Sequence, residues 1–390
     1  MLAIIAAITA FAPLSMDLYL PGLPDLQAEL SASPEAARAT VTGCIAGLAL
    51  GQLVSGMLRP DRPRKPELLI SMSAWVCLTI ICACVSSVWV IVGLRVLQGL
   101  AAGNSIALAR TVMADIDPDN LARNLSRTML VLAAVPILAP AVGGFVLSFT
   151  NWRGLFAMLA SVGVVLVVVV ALILPESCRV QVCSDSDSES ATTIRSIASA
   201  RFLVPAVASG LGFGVIFAYV GESAFIFREH FGLSALGYGI VFGINASAMI
   251  VGFQVAPLLE RRWGARGAIM GTAPWGFAAA VGLLCYARID PGGLWLQCIL
   301  LIPVLWSAGI IVPITSSVAI NSFPASAAMT SGVAGALQFA LGGAIGAVSG
   351  VLPGSGAVPL TVVAGGALAM CVLLVAVFHT FSRVADSVQP

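Results

Sequence analysis

Long apolar segments separated by short polar ones dominate the pattern along this chain. Twelve such segments, each of about 20 residues, are almost free of charged side chains. An α-helix of about 20 apolar residues is long enough to cross the roughly 30 Å hydrocarbon core of a bilayer. The pattern predicts an all-α membrane protein with spans at residues 2–21, 38–58, 67–88, 90–112, 128–149, 155–175, 203–226, 236–257, 266–287, 294–315, 328–350 and 357–380.

The longest polar segment divides these spans into two sets of six. It covers residues 176–202 and includes a Ser- and Asp-rich run with too few apolar side chains to form a packed core. The predicted organisation is an N-terminal six-helix bundle at 1–175, a cytoplasmic linker at 176–202 and a C-terminal six-helix bundle at 203–390. Two pseudo-symmetric bundles that rock about a central site are typical of secondary transporters.

Composition supports a membrane protein and excludes several other classes. Hydrophobic residues make up 59% of the chain and charged residues 9%, against about 25% charged residues in soluble proteins. A formal net charge of +1 provides no basic face, so nucleic acid is not expected as a partner. The nine cysteines form no CxxC pair and the two histidines are far apart, so neither a metal site nor a cofactor is expected. No Ser/His/Asp arrangement or phosphate-binding loop points to an enzyme.

Basic residues indicate the orientation in the membrane. With the first residue in the cytoplasm, 13 of the 19 Arg and Lys side chains lie in cytoplasmic loops, four lie outside and two lie within spans. Because cytoplasmic loops carry the excess of positive charge, both termini are expected in the cytoplasm. No basic residue precedes Arg38, so the first segment is expected to be a helix rather than a cleaved signal peptide, with a short extension missing ahead of it.

A single acid interrupts the first apolar segment. Asp17 opens the run DLYLPGLP at residues 17–24, inside a predicted span. A carboxylate within a bilayer costs roughly 2.5–3.5 kcal/mol on insertion scales, so such a residue is a functional-site candidate by default. We therefore predict that Asp17 binds a proton.

A second acid, Glu222, lies in the seventh predicted span, the equivalent of the first under a pseudo-twofold axis. One interpretation makes Glu222 a contact for a cationic substrate or a second proton site. The other makes it an interfacial acid close to Arg228 and Glu229. Since polar side chains within spans usually face the bundle interior, the predicted substrate-cavity residues are Tyr19, Glu222, Asn245 and Gln338.

The fourth predicted span contains a basic residue, Arg95. Arg95 and Gln98 are three residues apart and share one face of this helix. An Arg in hydrocarbon must find an acceptor or water, so the pair is a candidate functional site. The alternative is a structural Arg that holds neighbouring helices together.

Four short runs resemble motifs of one known family. They are DLYLPGLP at 17–24, RVLQG at 95–99, PILAPAVGG at 136–144 and WRGLF at 152–156. Together they resemble the major facilitator superfamily and, within it, the Bcr/CflA group of bacterial drug:proton antiporters, over the whole chain. The resemblance implies that Arg95 and Gln98 take part in proton transfer. It also implies an antiporter motif in the fifth span at Pro136, Pro140, Gly143 and Gly144, where prolines bend the helix and glycines permit close contact.

The loop after the second span departs from the family pattern. The family usually has G-x-L-x-D-R-x-G-R-R-P there, whereas this chain has GMLRPDRPRKP at 56–66, with Pro60 at the acid position and Pro63 at the glycine position. In the family, charge pairs at this loop form a cytoplasmic gate. The resemblance assigns that gate to Gly56, Asp61, Arg64 and Asp115.

The predicted function is a proton-coupled antiporter of the bacterial inner membrane, acting as a monomer by alternating access. Its expected partners are a small-molecule substrate, protons and the lipid bilayer. The resemblance implies export of small, largely apolar organic compounds, phenicol-like antibiotics among them. A metabolite exporter for amino acids or sugars is one alternative. A degenerate or non-transporting member is the other, because of the altered loop.

Overall fold

The computed structural model describes residues 2–57, 64–116, 135–175, 199–289, 293–322, 327–353 and 356–386. All regular structure in these ranges is helical, as the hydropathy pattern predicts. The helices are α1 Leu2–Asp17, α2 Leu23–Glu29, α3 Pro34–Met57, α4 Arg64–Cys84, α5 Val88–Ile116, α6 Val135–Leu147, α7 Trp152–Ile173, α8 Ala200–Ala224, α9 Ala235–Ile289, α10 Leu294–Asn321, α11 Ala327–Val351 and α12 Val358–Asp386.

The chain divides into two compact units. The first comprises Met1–Ser184 and Ser223–Gly243, and the second comprises Asp185–Glu222 and Ile244–Pro390. Residues 223–243, which follow the predicted linker in sequence, therefore pack into the first unit. Most of that linker lies outside the described residues. The predicted division at 176–202 stays a prediction.

Nine helices in the described ranges are long and apolar enough to cross a membrane, or ten when the bent segment at 3–29 counts as one span. The 55 residues of α9 include Gly264 with φ 70° and ψ 164°, which is not helical, so this element joins the two spans predicted at 236–257 and 266–287. The shorter α6 lies within the span predicted at 128–149. Twelve spans are consistent with these observations.

The first predicted span, 2–21, ends early as an α-helix. Its last α-helical residue is Asp17, and a short 3₁₀ turn at Leu20–Gly22 leads into α2. Pro21 and Pro24 have no backbone N–H and cannot continue an i to i−4 hydrogen-bond pattern. The interruption of the α-helix therefore lies directly after Asp17.

Helices α3 and α5 of the first unit approach each other unusually closely through glycines. A Cβ atom at Gly47 would overlap the Val96 carbonyl oxygen, and a Cβ atom at Gly99 would overlap the Cys44 carbonyl oxygen. Gly51 and Gly103 make equivalent approaches one turn further along. Small residues spaced by four allow such contact between helices in a membrane, where no hydrophobic effect draws helices together.

We expect Gly99→Ala to destabilise the protein, whereas Gly93→Ala on the same helix should not. The added methyl at Gly99 meets backbone and forces α3 away, and overpacking of this kind costs about 1–3 kcal/mol. At Gly93 a Cβ atom meets nothing within 4 Å, and alanine favours a helix over glycine by up to about 1 kcal/mol. The thermal midpoint in detergent should fall for Gly99→Ala only. Equal midpoints for the two variants would contradict tight α3–α5 packing.

A polar clamp fixes the start of α7. The Trp152 indole donates to the Glu29 carboxylate at 2.7 Å, and the Arg153 guanidinium pairs with the same carboxylate at 2.8 Å. Arg153 also donates to the carbonyl oxygens of Ala83 and Val85, at 2.9 Å each. Because those carbonyls lie in the last turn of α4 and directly after it, Arg153 satisfies acceptors that the helix end leaves open. The WRGLF run thus ties α2, α4 and α7 together.

Each unit has its own apolar core. In the first, side chains of α1, α4, α5 and α7 form a buried cluster around Ile8, Met72 and Val112. In the second, Phe202 of α8 packs with Ala319 of α10 and Ala334 of α11. Small side chains at this second contact let the three helices lie close to one another.

Candidate functional site

Asp17 occupies a buried position at the end of α1. Its side chain is 6% exposed, and among the described residues its carboxylate makes no ion pair or hydrogen bond. The Tyr238 hydroxyl, which lies 3.0 Å from the Ser223 hydroxyl, is near enough to Asp17 to interact with it electrostatically. Burying an ionised carboxylate without a partner costs free energy that protonation removes. The surroundings suit a group that gains and loses a proton.

The neighbouring Tyr19 connects this helix end to Arg95. The Tyr19 hydroxyl lies 3.1 Å from the Thr40 hydroxyl, and its ring lies under the Arg95 guanidinium at 5.0 Å. Arg95 donates from Nε to the Thr40 carbonyl oxygen at 3.3 Å, while Phe156 provides a second ring at 5.9 Å. Two aromatic faces thus attract the cation in a region with little water.

Arg95 and Gln98 interact as their spacing predicts. Arg95 Nη1 donates to Gln98 Oε1 at 2.6 Å, and Gln98 Nε2 donates to the Thr79 hydroxyl at 2.6 Å. Thr79 in turn donates to the Trp75 carbonyl oxygen at 2.7 Å. Sequence reasoning missed Thr40 and Thr79 as members of this network. Each is one of several hydroxyl residues in its predicted span, so no sequence signal distinguished it.

The Arg95 guanidinium is fully buried, yet no carboxylate in the described ranges lies within ion-pair distance. Its Nη2 atom has no hydrogen-bond partner among the described residues. A cation that is held by neutral acceptors and rings retains capacity to bind another acceptor. This feature separates Arg95 from Arg153, whose donors meet the Glu29 carboxylate and two carbonyl oxygens.

The predicted antiporter helix, α6, packs directly beside Asp17. A Cβ atom at Gly143 would overlap the carbonyl oxygen of Leu18, and a Cβ atom at Gly144 would overlap the carbonyl oxygen of Ala235. Pro136 and Pro140 lie earlier in the same helix. The paired glycines therefore bring α6 against both the residue after Asp17 and the start of α9.

An ion pair also joins α2 to the π-helical turn Phe225–His230. Arg228 pairs with Asp25 at 2.9 Å and donates to the Pro21 carbonyl oxygen. The Arg38 guanidinium lies 4.4 Å from the centre of the Phe225 ring. These contacts lie within the first compact unit, at the end of α2 that follows the Asp17 break.

Three predicted cavity residues lie in the second unit. Glu222, near the end of α8, is 1% exposed, and Asn245 of α9 is fully buried against the Cys298 thiol. Gln338 of α11 is partly buried and accepts a hydrogen bond from Ser316 at 3.4 Å. Tyr19, the fourth, lies in the first unit, where it contacts Thr40 and Arg95. The cavity role of all four stays a prediction.

The predicted cytoplasmic gate falls largely on residues beyond the described ranges. Asp61 lies outside them, and so does the side chain of Asp115. Gly56 lies in the last turn of α3 and Arg64 is the first residue of α4. The gate stays a prediction.

Comparison with known proteins gives a consistent family assignment. The chain is 32% identical over 245 residues to the uncharacterized MFS-type transporter YdgK of Bacillus subtilis, a match that covers 62% of this chain and 61% of that relative's length. It is 24% identical over 372 residues to the bicyclomycin resistance protein homolog of Haemophilus influenzae, covering 93% and 91% of the two chains. The solved structure of the nucleoside transporter NupG has the same fold, with a TM-score of 0.72, 14% identity, and coverage of 97% and 98%.

The sequence profile of the Major Facilitator Superfamily matches residues 5–347. Members of this family are membrane transporters and not enzymes. The helical architecture, the lengths of the apolar helices and the profile all support the same family. This multi-pass membrane chain belongs to the Major Facilitator Superfamily.

Proposed function

We propose that this transporter is a proton-coupled antiporter that exports small, largely apolar organic compounds, with Asp17 as its proton site. The observation that carries the proposal is the Asp17 carboxylate, buried at a helix break with neither an ion pair nor a hydrogen bond from any described residue. A carboxylate used only for structure is expected to have a basic partner or several donors.

The name of one relative supports drug export as the class of transport. The Haemophilus influenzae relative, which matches nearly the whole chain, is described as a bicyclomycin resistance protein homolog. Resistance by a membrane transporter requires that a compound leave the cell. We extend that activity class to this chain, together with a bacterial inner-membrane location, cytoplasmic termini and function as a monomer.

In the proposed cycle, protonation of Asp17 selects between two conformations. A proton from outside neutralises Asp17, and its release inward restores a charge that disfavours the buried state. Tyr19 and Thr40 connect this helix end to the Arg95–Gln98 pair, so a shift of α1 alters the surroundings of a buried cation. Substrate and proton then compete for one conformation, which is sufficient for exchange.

Reconstituted protein tests this function directly. Proteoliposomes containing a pH-sensitive dye would receive an imposed proton gradient and then chloramphenicol, a fluoroquinolone, a cationic dye, an amino acid or a sugar. Proton flux that depends on an added antibiotic or dye is the expected result. Flux with the amino acid or sugar alone would indicate a metabolite exporter instead. No flux with any compound would contradict proton-coupled export of these compound classes.

We expect Gly143→Ala to lower transport strongly while the protein still folds. The added methyl meets the Leu18 carbonyl oxygen, so α6 must move away from the residue that follows Asp17. Displacements of about 1 Å near a functional group can cost about 100-fold in rate. Initial efflux rates per folded protein measure the effect. Gly366→Ala, where a Cβ atom meets nothing within 4 Å, is the control and should match wild type.

A further inference from the structure

Three polar side chains connect α8, α10 and α11 of the second unit. The Ser209 and Ser316 hydroxyls lie 2.8 Å apart, and Ser316 donates to Gln338 Oε1 at 3.4 Å. Because Ser316 uses its single proton on Gln338, Ser209 is the donor of the first pair. The hydrogen bonds therefore run from Ser209 through Ser316 to Gln338 Oε1. The Gln338 amide N–H groups remain able to donate to another acceptor.

Three phenylalanine rings lie beside these polar side chains. Phe339 follows Gln338 in sequence, and its ring centre is 5.3 Å from that of Phe213 and 5.9 Å from that of Phe217. The rings of Phe213 and Phe217 are 5.4 Å apart. Gly342 and Gly346 of α11 pack against Phe213 and Phe217, which fixes two of the rings on α8. The trio forms an aromatic surface next to an amide donor.

The exposed stripe of α11 shows which way this surface faces. That stripe is apolar, consists of small and branched residues suited to lipid contact, and comprises Ala340, Ala344, Val348 and Val351. At 3.6 residues per turn, Gln338 and Phe339 lie about 125° and 135° around the helix from the centre of this stripe. Polar side chains at membrane depth face the protein interior. Ser316, Gln338, Phe213 and Phe339 are each only partly buried, so a ligand can contact them.

The three helices that bear this surface carry little charge. Helices α10 and α11 contain no acidic or basic residue, and α8 has only Arg201 at its start and Glu222 near its end. A cationic ligand would find no counter-charge beside the rings, and phenylalanine is the weakest aromatic partner for a cation. A neutral ring that accepts a hydrogen bond fits both the aromatic surface and the amide donor.

We propose that Ser209, Ser316, Gln338 and the Phe213–Phe217–Phe339 trio form a substrate subsite for neutral aromatic compounds that carry a hydrogen-bond acceptor such as a nitro or carbonyl oxygen. The inference rests on the proposed export function and names the chemistry that the second unit selects. Gln338 provides the directional contact, Ser316 and Ser209 hold its amide in place, and the rings provide stacking area.

Equilibrium dialysis on purified protein tests the subsite with two radiolabelled probes, neutral chloramphenicol and cationic tetraphenylphosphonium. Gln338→Leu should weaken chloramphenicol binding about tenfold, because a buried donor contact is lost. Phe339→Leu should weaken it several-fold, and Ser316→Ala less than Gln338→Leu. Tetraphenylphosphonium affinity should change little in all three. The control is Phe145→Leu, which alters an exposed ring of the first unit and should leave both affinities unchanged.

The outcomes separate this inference from the proposed function. Wild-type affinity for chloramphenicol in both Gln338→Leu and Phe339→Leu, with unfolding midpoints near wild type, would overturn the subsite even if proteoliposomes export normally. Equal weakening of both probes would also overturn it, because a general loss of packing needs no specific donor. A wild-type protein that binds neither probe and drives no proton flux would refute the proposed function and the subsite together.

Discussion

Asp17→Asn is expected to abolish compound-dependent proton flux while leaving a folded protein. The substitution keeps the size and shape of the side chain and removes its ability to release a proton. The wild-type carboxylate makes no ion pair or hydrogen bond with the described residues, so no structural partner is lost. Flux in proteoliposomes should fall to that of protein-free liposomes. A substrate should still bind, but more weakly, since the variant resembles the protonated state with which substrate binding competes.

The pH dependence of binding provides a second readout for Asp17. If proton and substrate compete for one conformation, substrate affinity of the wild type changes with pH and that of Asp17→Asn does not. The titratable residue that faces Asp17 is Tyr238, whose hydroxyl lies 3.0 Å from Ser223. Tyr238→Phe should therefore keep the pH dependence, which excludes the tyrosine as its source.

The matched control for Asp17→Asn is Glu35→Gln at the exposed start of α3. It removes one carboxylate by the same isosteric change, outside the buried site. Glu35→Gln should transport as wild type does. If Asp17→Asn keeps proton flux while Glu35→Gln is normal, Asp17 is not the coupling residue and the proposed mechanism is wrong.

Much of the fold can be predicted from the sequence because few backbone structures are stable in hydrocarbon. A backbone in lipid must satisfy its own hydrogen bonds, so a run of about 20 apolar residues becomes a helix. The residues at which each helix begins and ends depend on local chemistry instead. The first α-helix ends at Asp17, ahead of Pro21, and Gly264 alone marks the change between two helices of α9. Hydropathy predicts the change at Gly264, which lies in the charged run 260–266 between two predicted spans, but not the end of α1, because Asp17 lies between apolar residues.

The candidate site could be predicted only where spacing along one helix was enough. Arg95 and Gln98 share a helix face and do interact, as three-residue spacing requires. Thr40 and Thr79 come from two other helices, and only tertiary packing brings them to Arg95. The contact of the Tyr19 ring with Arg95 was likewise not predicted, since Tyr19 lies in another predicted span. Contacts between helices depend on rotation and depth, which a hydropathy pattern does not determine.

The contacts of the α6 glycines could be predicted only in part. Their close spacing predicts that some helix approaches α6, because only small residues permit such contact. The sequence does not identify the neighbours. The structure identifies them as Leu18 for Gly143 and Ala235 for Gly144. The first contact gives a physical reason why a motif in the fifth span should influence an acid in the first.

Arg95→Lys is expected to reduce coupled transport at least about tenfold although the positive charge is kept. Lysine has one compact ammonium group and cannot direct donors to Thr40 and Gln98 at once from a planar fork. Gln98 then loses the donor that orients its amide. The loss of each hydrogen bond to a charged group is worth roughly 1.5–3 kcal/mol, and about 1.4 kcal/mol corresponds to tenfold in a rate or equilibrium constant. Initial proton-flux rates per folded protein measure the effect.

Arg153→Lys is the control that distinguishes a loss of proton coupling from a loss of protein stability. Arg153 also uses several donors, but they bind the Glu29 carboxylate and the carbonyl oxygens of Ala83 and Val85. Its replacement by lysine should lower the thermal midpoint and leave the flux per folded protein near wild type. Arg95→Lys should lower the flux whatever its midpoint. Equal flux in the two variants would make Arg95 a structural clamp, because a cation that only holds helices together contributes nothing specific to proton movement.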